Sequence, residues 1–214
     1  MILKPGHKHL SRAQCARCFQ EVLMKLKELI IKNRSYRGYD HTRKVTKEEL
    51  MEMVDCARLS ASSMNQQPLK FALAYEEEIV DELQKATIWA RKLPQLTLPH
   101  PGKEPTAFIV ICQDMNINDN RPLFIRDVGV TAQSILLAAT EMGLGGCMIG
   151  SFQKSAFIDT LHLGEGIEPI LVVAIGKPDE EVVLTDVKDG AVNYYRDEND
   201  VHYVPKRALE DIIL

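Results

Sequence analysis

Tryptophan occurs once in this 214-residue chain, and several whole classes of signal are missing. No apolar run is long enough to span a bilayer, which speaks against a membrane protein. Excess positive charge is also absent. The net charge is -4, so nothing draws the chain generally to nucleic acid or to anionic membranes. The basic N-terminal residues are not followed by an apolar core, so no secretory signal is expected. Cysteine occurs five times. An odd number of thiols without an export signal suggests reduced cysteines and a cytoplasmic location. Cys15 and Cys18 have metal-ligand spacing, with His7 and His9 nearby, but no second cysteine pair completes a zinc or iron–sulfur set. Two ordinary thiols are the simpler reading, and no metal site is expected. The dinucleotide fingerprint, the Walker pattern, the zinc-protease motif and the nucleophile elbow are all missing. So is any obvious nucleophile–base pair.

What is present suits a soluble globular chain: 45% hydrophobic and 26% charged residues, with no internal repeat or low-complexity tract. Phe19, Val22, Leu23, Leu26 and Ile30 recur at helical spacing and stop at Asn33. Met24 is a possible second start, so residues 1–23 are read as an accessory extension and residues 24–214 as a single domain. Thr46 and Glu49 fit a capping box before Leu50, Met53, Val54 and Ala57. The polar string Ser60 to Pro68 ends that helix, and Leu69 to Tyr75 reads as a strand. A helix is predicted from Glu76 to Leu93. Lys92 to Thr106 holds Pro94, Pro99, Pro101 and Pro105 and reads as a long irregular connection.

Phe108 to Asp114 and Glu168 to Pro178 read as buried strands. Between them a helix runs from Asp127 to Gly143, followed by a short strand in "LGGCMIGSF". The tail from Asp179 is polar, and its end, "PKRALEDIIL", has helical potential. Strands and helices mix without a regular βαβ rhythm, so the fold class is α+β. A tail with little core of its own suggests an arm wrapped over a second subunit in a symmetric homodimer.

Four clusters bear on chemistry. "NRSYR" places Arg34, Ser35 and Arg37 just after a helix. Guanidinium groups fork onto phosphate oxygens, but cations also simply favour a helix C-terminus. On spacing alone the second reading is simpler. "SSMNQQP" gathers Ser62, Ser63, Asn65 and Gln67 before a strand, suited either to the polar edge of a heterocycle or to an ordinary turn. "GLGGCMIGSF" offers four glycines that permit close backbone approach or positive φ. Arg196, Lys206 and Arg207 form a basic tail cluster that, on composition alone, reads more simply as a solvated face.

In their joint order, "NRSYRGYD", "SSMNQQP", "RDVGVTAQSILLAATEMGLGGCMIGSF" and a strand ending "AIGKP" resemble the nitroreductase family over roughly residues 24–214. The opening pattern departs at Asn33, where the family usually has arginine. Ala61 and Leu69 stand where proline and tryptophan are usual. The resemblance implies a nitroreductase-like fold, a central and mostly antiparallel sheet flanked by helices, and FMN bound at a homodimer interface with an exchanged C-terminal arm. It implies an FMN phosphate socket of Arg34, Ser35 and Arg37, and polar contacts to the flavin from Ser62, Ser63, Asn65 and Gln67. The backbone of Ile149 and Gly150 would approach the reactive edge, and one of Arg196, Lys206 and Arg207 would supply a further cation.

The implied activity is ping-pong transfer of hydride from NADH or NADPH to a small nitroaromatic, quinone-like or other acceptor. The flavin does the redox chemistry, so no catalytic side chain is required. The proline-rich segment is expected to border the acceptor pocket. Trp89 and Phe124 are possible liners, though core packing accounts for both more simply. A non-enzymatic flavin-binding or redox-sensing protein, or a specialised flavin enzyme such as a reductive dehalogenase, are the alternatives.

Overall fold

Strand β3, Ala107–Asp114, is apolar along nearly its whole length because both of its faces are covered. The computed structural model describes residues 25–214. The proposed 1–23 extension, the first half of the opening helix and the Cys15/Cys18 pair lie outside the described residues. The helices are α1 (Leu26–Lys32), α2 (Lys47–Arg58), α3 (Glu77–Lys85), α4 (Arg121–Glu141) and α5 (Lys154–Thr160). The main sheet pairs β2 (Leu69–Ala74) with β3, and β3 with β5 (Ile167–Pro178), all antiparallel. The far edge of β5 carries β4 (Gly145–Ile149) and then the two-residue β1 (Tyr39–Asp40), also antiparallel. The expected α+β class and mostly antiparallel sheet are what is found.

Side-chain alternation on the strands divides the core. Ile109, Ile111, Val173 and Ile175 face α2 and α4, where Leu50, Met53, Ala132, Ile135 and Ala139 meet them. Phe108, Val110, Val172 and Ala174 face the other way, toward Val80 and Leu83 of α3 and Phe157 of α5. By length and composition α4 alone among the described helices is apolar enough to cross a membrane, but 56% of that window is buried here as a core helix.

The capping box forms as expected: Glu49 N–H donates to Thr46 Oγ1 at 3.2 Å, and Thr46 N–H donates to Glu49 Oε2 at 2.9 Å. Four local expectations are corrected. The helix predicted to Leu93 ends at Lys85, because the next backbone groups pair with another segment: Gln153 N–H donates to Ala86 O at 2.9 Å and Ile88 N–H to Ser151 O at 2.9 Å. The core helix begins at Arg121, not Asp127, because Asn120 caps it and Pro122 sits in its first turn. Helix α5 had not been anticipated. Finally, the tail has little core of its own, as expected, with His202 its one buried residue, but it carries a small sheet. Strands β6 (Val182–Asp186) and β8 (His202–Lys206) pair in parallel, β7 (Tyr195–Arg196) joins β8, and Tyr195 stacks on Tyr203. Its terminal residues form turns, not a helix.

The glycines of the "GLGGCMIGSF" segment serve separate ends. Gly143 takes φ +74° and turns the chain out of α4. Gly145 and Gly146 permit close packing within the protein: a Cβ on Gly145 would lie 2.6 Å from Tyr36, and one on Gly146 would lie 2.2 Å from the carbonyl oxygen of Ala174. Nothing lies within 4 Å of a Cβ built on Gly150. Because backbone cannot step aside as a flexible side chain can, Gly146→Ala is expected to destabilise the fold by about 1–3 kcal/mol or more. A lowered urea unfolding midpoint would show it.

Candidate active site

Helix α1 stops at Asn33, and the chain then runs onto the edge of the main sheet. Ser35 bridges Gly146, and Tyr36 N–H donates to Gly146 O at 3.0 Å. Tyr36 Oη donates to Lys32 O at 2.8 Å, and Tyr39 Oη to Tyr36 O at 2.7 Å. This stitching fixes the backbone that carries Arg34, Ser35 and Arg37.

Arg34 reaches back, its Nη2 donating to Ile30 O at 2.7 Å, while its Nε is buried without a partner. Burial lowers the pKa of Arg34 from its ordinary value, an effect that nearby Tyr36 opposes. Arg34 and Ser35 line a cavity of about 330 Å³ together with Ile30, Asn33, Met148 and Lys206. Met148 also lines a second cavity of about 170 Å³, with Arg37, Trp89, Arg91, Gly150 and Tyr194 among its walls. Thus Arg34, Ser35 and Lys206 come together, and Arg37, Ile149 and Gly150 meet on the other side of Met148.

Arg37 is only 9% exposed and is turned toward the C-terminal tail. Its guanidinium lies 5.0 Å from the centroid of the Tyr194 ring, and its Nη1 donates to Ser35 O and to His202 Nε2, each at 3.2 Å. Arginine has no lone pair to offer, so His202 Nε2 must accept, and the imidazole is neutral with its proton on Nδ1. Burial, then Arg37 and Arg196, push the His202 pKa down to about 4, which agrees with that tautomer. Arg37 Nε and His202 Nδ1 are both buried without partners. The backbone N–H of Arg37 donates to Glu180, whose other carboxylate oxygen pairs with Arg196.

The tail cations therefore separate. Arg196 is enclosed, its side chain 3% exposed between Glu180 and Asp200, the latter at 2.9 Å. Its place in the expected cofactor socket is taken by this ion pair. Arg207 is exposed, one residue past β8. Only Lys206 lines the Arg34 cavity.

The polar loop lies elsewhere. Ser62 Oγ and Ser63 N–H donate to Asp127 Oδ2, each at 2.8 Å, and Ser63 Oγ donates to Asp127 Oδ1 at 2.7 Å. Burial alone would raise the Asp127 pKa, but the hydrogen bonds from Ser63 and Ser62 outweigh it and hold the carboxyl below its ordinary value. The hydroxyl protons of Ser62 and Ser63, expected to face a heterocycle, are committed inside the protein, which leaves Asn65 and Gln67 exposed on the loop. Met64, Asn65 and Gln67 all take positive φ, at 52°, 55° and 51°. Backbone strain of this kind persists only where the surroundings hold it, and it clusters at binding sites.

The loop borders a third cavity of about 150 Å³ against Asp127 and Thr131 of α4, whereas Gln133 and Leu136 of the same helix face the Arg34 cavity. Thr131 and Gln133 are two residues apart and so do not share a helix face. One copy of the chain holds the two halves of the expected site on different faces of α4.

Asp127, His202, Tyr194 and Arg91 were missed from sequence. Asp127 did leave a signal, since a carboxylate on an apolar helical stripe needs buried donors, and a Ser-Ser loop provides them. No residue of the proline-rich segment lines the cavity beside Gly150. His100 and Lys103 border the Glu180–Arg196 cluster, and it is Ile88 to Arg91 that flank Gly150. Trp89 packs against the core and also lines the cavity beside Gly150, whereas Phe124 is fully buried core.

The neutral state of His202 sets a pH dependence. Its pKa is near 6.5 when unfolded and about 4 when folded, so the unfolded chain takes up the proton first. Stability is full above pH 6.5 and is expected to decline as pH falls toward 4. Urea unfolding at several pH values should show that slope, flattened in His202→Gln.

The nitroreductase family model matches residues 30–177. A protein of Archaeoglobus fulgidus, provisionally named NADH dehydrogenase/NAD(P)H nitroreductase, is 26% identical over 167 residues, covering 76% of this chain and 90% of its own. A nitroreductase family protein of Clostridium difficile 630 superposes with a TM-score of 0.59 at 27% identity, over 73% of this chain and 86% of that one. An FMN-dependent nitroreductase of Clostridium difficile R20291 superposes with a TM-score of 0.58 at 25% identity, over 72% and 87%. The family model covers more than half of the chain, and the strand order, the stitched arginine segment and the glycine-bearing β4 all fall within its span: this chain belongs to the nitroreductase family.

Proposed function

We propose that the chain is an FMN-dependent oxidoreductase that takes hydride from NADH or NADPH and reduces a small nitroaromatic or quinone-like acceptor by a ping-pong mechanism. The observation that carries this reading is the pair of buried, unpartnered guanidinium nitrogens, Arg34 Nε and Arg37 Nε, beside cavities that meet at Met148. Buried donors almost always have acceptors, so two left over in one segment call for an anion from outside. The donor set fits a phosphate monoester: Arg34 and Lys206 bring charge, and Ser35 brings a hydroxyl.

A bound flavin supplies the two-electron chemistry that no side chain here can. The chain's own residues hold and orient. Arg34, Ser35 and Lys206 grip the phosphate, and Arg37 contributes a fixed positive charge beside the Cys147–Ser151 backbone. The open face at Gly150 leaves room for a nicotinamide and then an acceptor to approach the same place.

The polar loop and the socket face apart on α4, and we infer that they combine across a homodimer, with Asn65 and Gln67 of one copy serving the socket of the other. The exposed Ile30, Ile31, Ile125, Val130 and Met148 would be covered in that assembly. The described cysteines are free thiols, in keeping with a reducing, cytoplasmic setting.

Purified protein should carry the yellow absorbance of flavin. Arg34→Ala and Lys206→Ala should each weaken FMN binding roughly tenfold or more, because a charge-assisted hydrogen bond contributes about 1.5–3 kcal/mol. Flavin titration of the apoprotein measures this, and full affinity in both variants would reject the socket. Parallel lines are expected in two-substrate kinetics; intersecting lines would contradict the shared pocket. Mixing and refolding Arg34→Ala with Asn65→Ala subunits should restore about one site in four if the site is shared across a two-fold dimer. No restoration would show that each chain builds its own.

A further inference from the structure

We propose that Arg91 is the anion-recognition residue of the cavity beside Gly150, and that the acceptor admitted there is a flat molecule carrying a carboxylate. This rests on the proposed oxidoreductase reading and names the substrate class of its site. The cavity of about 170 Å³ is lined by two arginines, Arg37 and Arg91, and by no aspartate or glutamate. Arg37 is already engaged by Ser35, His202 and the Tyr194 ring. Arg91 is exposed and makes no ion pair among the described residues. The remaining walls include Trp89, an aromatic face that favours a planar ligand, and Tyr194, whose ring also packs against Arg37 and His202.

Position matters as much as charge. The segment bearing Arg91 is fastened to the turn that bears Gly150. Thr87 bridges Phe152, Ile88 N–H donates to Ser151 O at 2.9 Å, and Gln153 N–H donates to Ala86 O at 2.9 Å. Ala90 takes φ 41°, and Leu93 N–H closes onto Ala90 O at 2.7 Å, which turns the chain at Arg91. Trp89 is pinned by its own indole N–H, which donates to Thr87 Oγ1 at 2.8 Å. The guanidinium therefore springs from backbone held in register with Gly150. A carboxylate forked onto it would leave the attached ring lying toward Gly150, where electrons are exchanged in the proposed function.

Trp89 is the chain's one tryptophan, so its emission reports this cavity without interference from another indole. The flavin-loaded protein should be titrated with benzoate and with benzamide, which match in shape and differ in charge. Benzoate is expected to perturb Trp89 emission with at least roughly tenfold higher affinity than benzamide, as one charge-assisted contact predicts. Arg91→Gln should remove that preference, and Arg91→Lys should keep part of it. In turnover with NADH, the ratio of kcat/KM for 4-nitrobenzoate over 4-nitrobenzamide should fall by a similar factor in Arg91→Gln, mainly through KM. Equal affinities in the unaltered protein, or a preference that survives Arg91→Gln, would overturn the assignment. So would an Arg91→Gln defect confined to NADPH as donor, which would place a nucleotide phosphate on Arg91 instead. A colourless protein without turnover would reject the oxidoreductase reading, and the same benzoate and benzamide titration of Trp89 emission, run on that protein as purified, would still decide the role of Arg91.

Discussion

The close approach of Tyr36 to β4 is the constraint on which the rest of the site depends. Tyr36 N–H bonds Gly146 O, and the ring lies where a side chain on Gly145 would stand. Gly146 in turn lets β4 sit tightly on β5, against the Ala174 carbonyl. Two adjacent residues without side chains thus let a charged connection be laid directly on the sheet. Larger residues would lift Arg34, Ser35 and Arg37 away from Met148 and Gly150, and the two cavities that meet at Met148 would lose a wall.

Placing that connection on the sheet gathers cations in one region: Arg34, Arg37 and Arg196, with Lys206 close by. The C-terminal tail manages the charge. Glu180 takes both the Arg37 backbone N–H and the Arg196 guanidinium, and Asp200 takes the other side of Arg196. His202 lies against Arg37 as a neutral acceptor, because a second positive charge there would be desolvated beside two guanidinium groups. Glu180 and Asp200 leave the Arg34 cavity untouched: its lining includes Arg34 and Lys206 and no carboxylate. The tail neutralises one end of the cluster and leaves the other open to an incoming anion.

Local rules carried the fold a long way. The Thr46–Glu49 capping box, the continuous apolar runs of β3 and β5, and the stop at Gly143 were all legible because neighbouring residues decide them. Helix α3 was overestimated for the opposite reason. Residues 86–88 have acceptable helical composition, yet pairing with Ser151 and Gln153 claims their backbone. The site shows the same division. "NRSYR" and "GLGGCMIGSF" announce themselves by residue type, and their contact at Gly146 follows. Asp127, His202 and Arg91 acquire their roles only through partners that are 65, 165 and about 60 positions away in sequence, which no local pattern encodes.

Helix α4 holds the final step. Its Asp127 anchors the strained loop through Ser62 and Ser63, while Gln133 and Leu136 turn toward the arginine cavity. A helix 21 residues long cannot be bent to bring those faces together within one molecule. The loop nevertheless keeps Met64 and Gln67 at positive φ, and holds them there with three hydrogen bonds to a buried carboxylate. Maintaining such a conformation for an ordinary surface turn would be a net loss of stability. It makes physical sense if the loop presents Asn65 and Gln67 to something beyond its own chain. In the proposed assembly, the same two-fold contact that covers Ile125 and Val130 would carry that loop to the partner's socket.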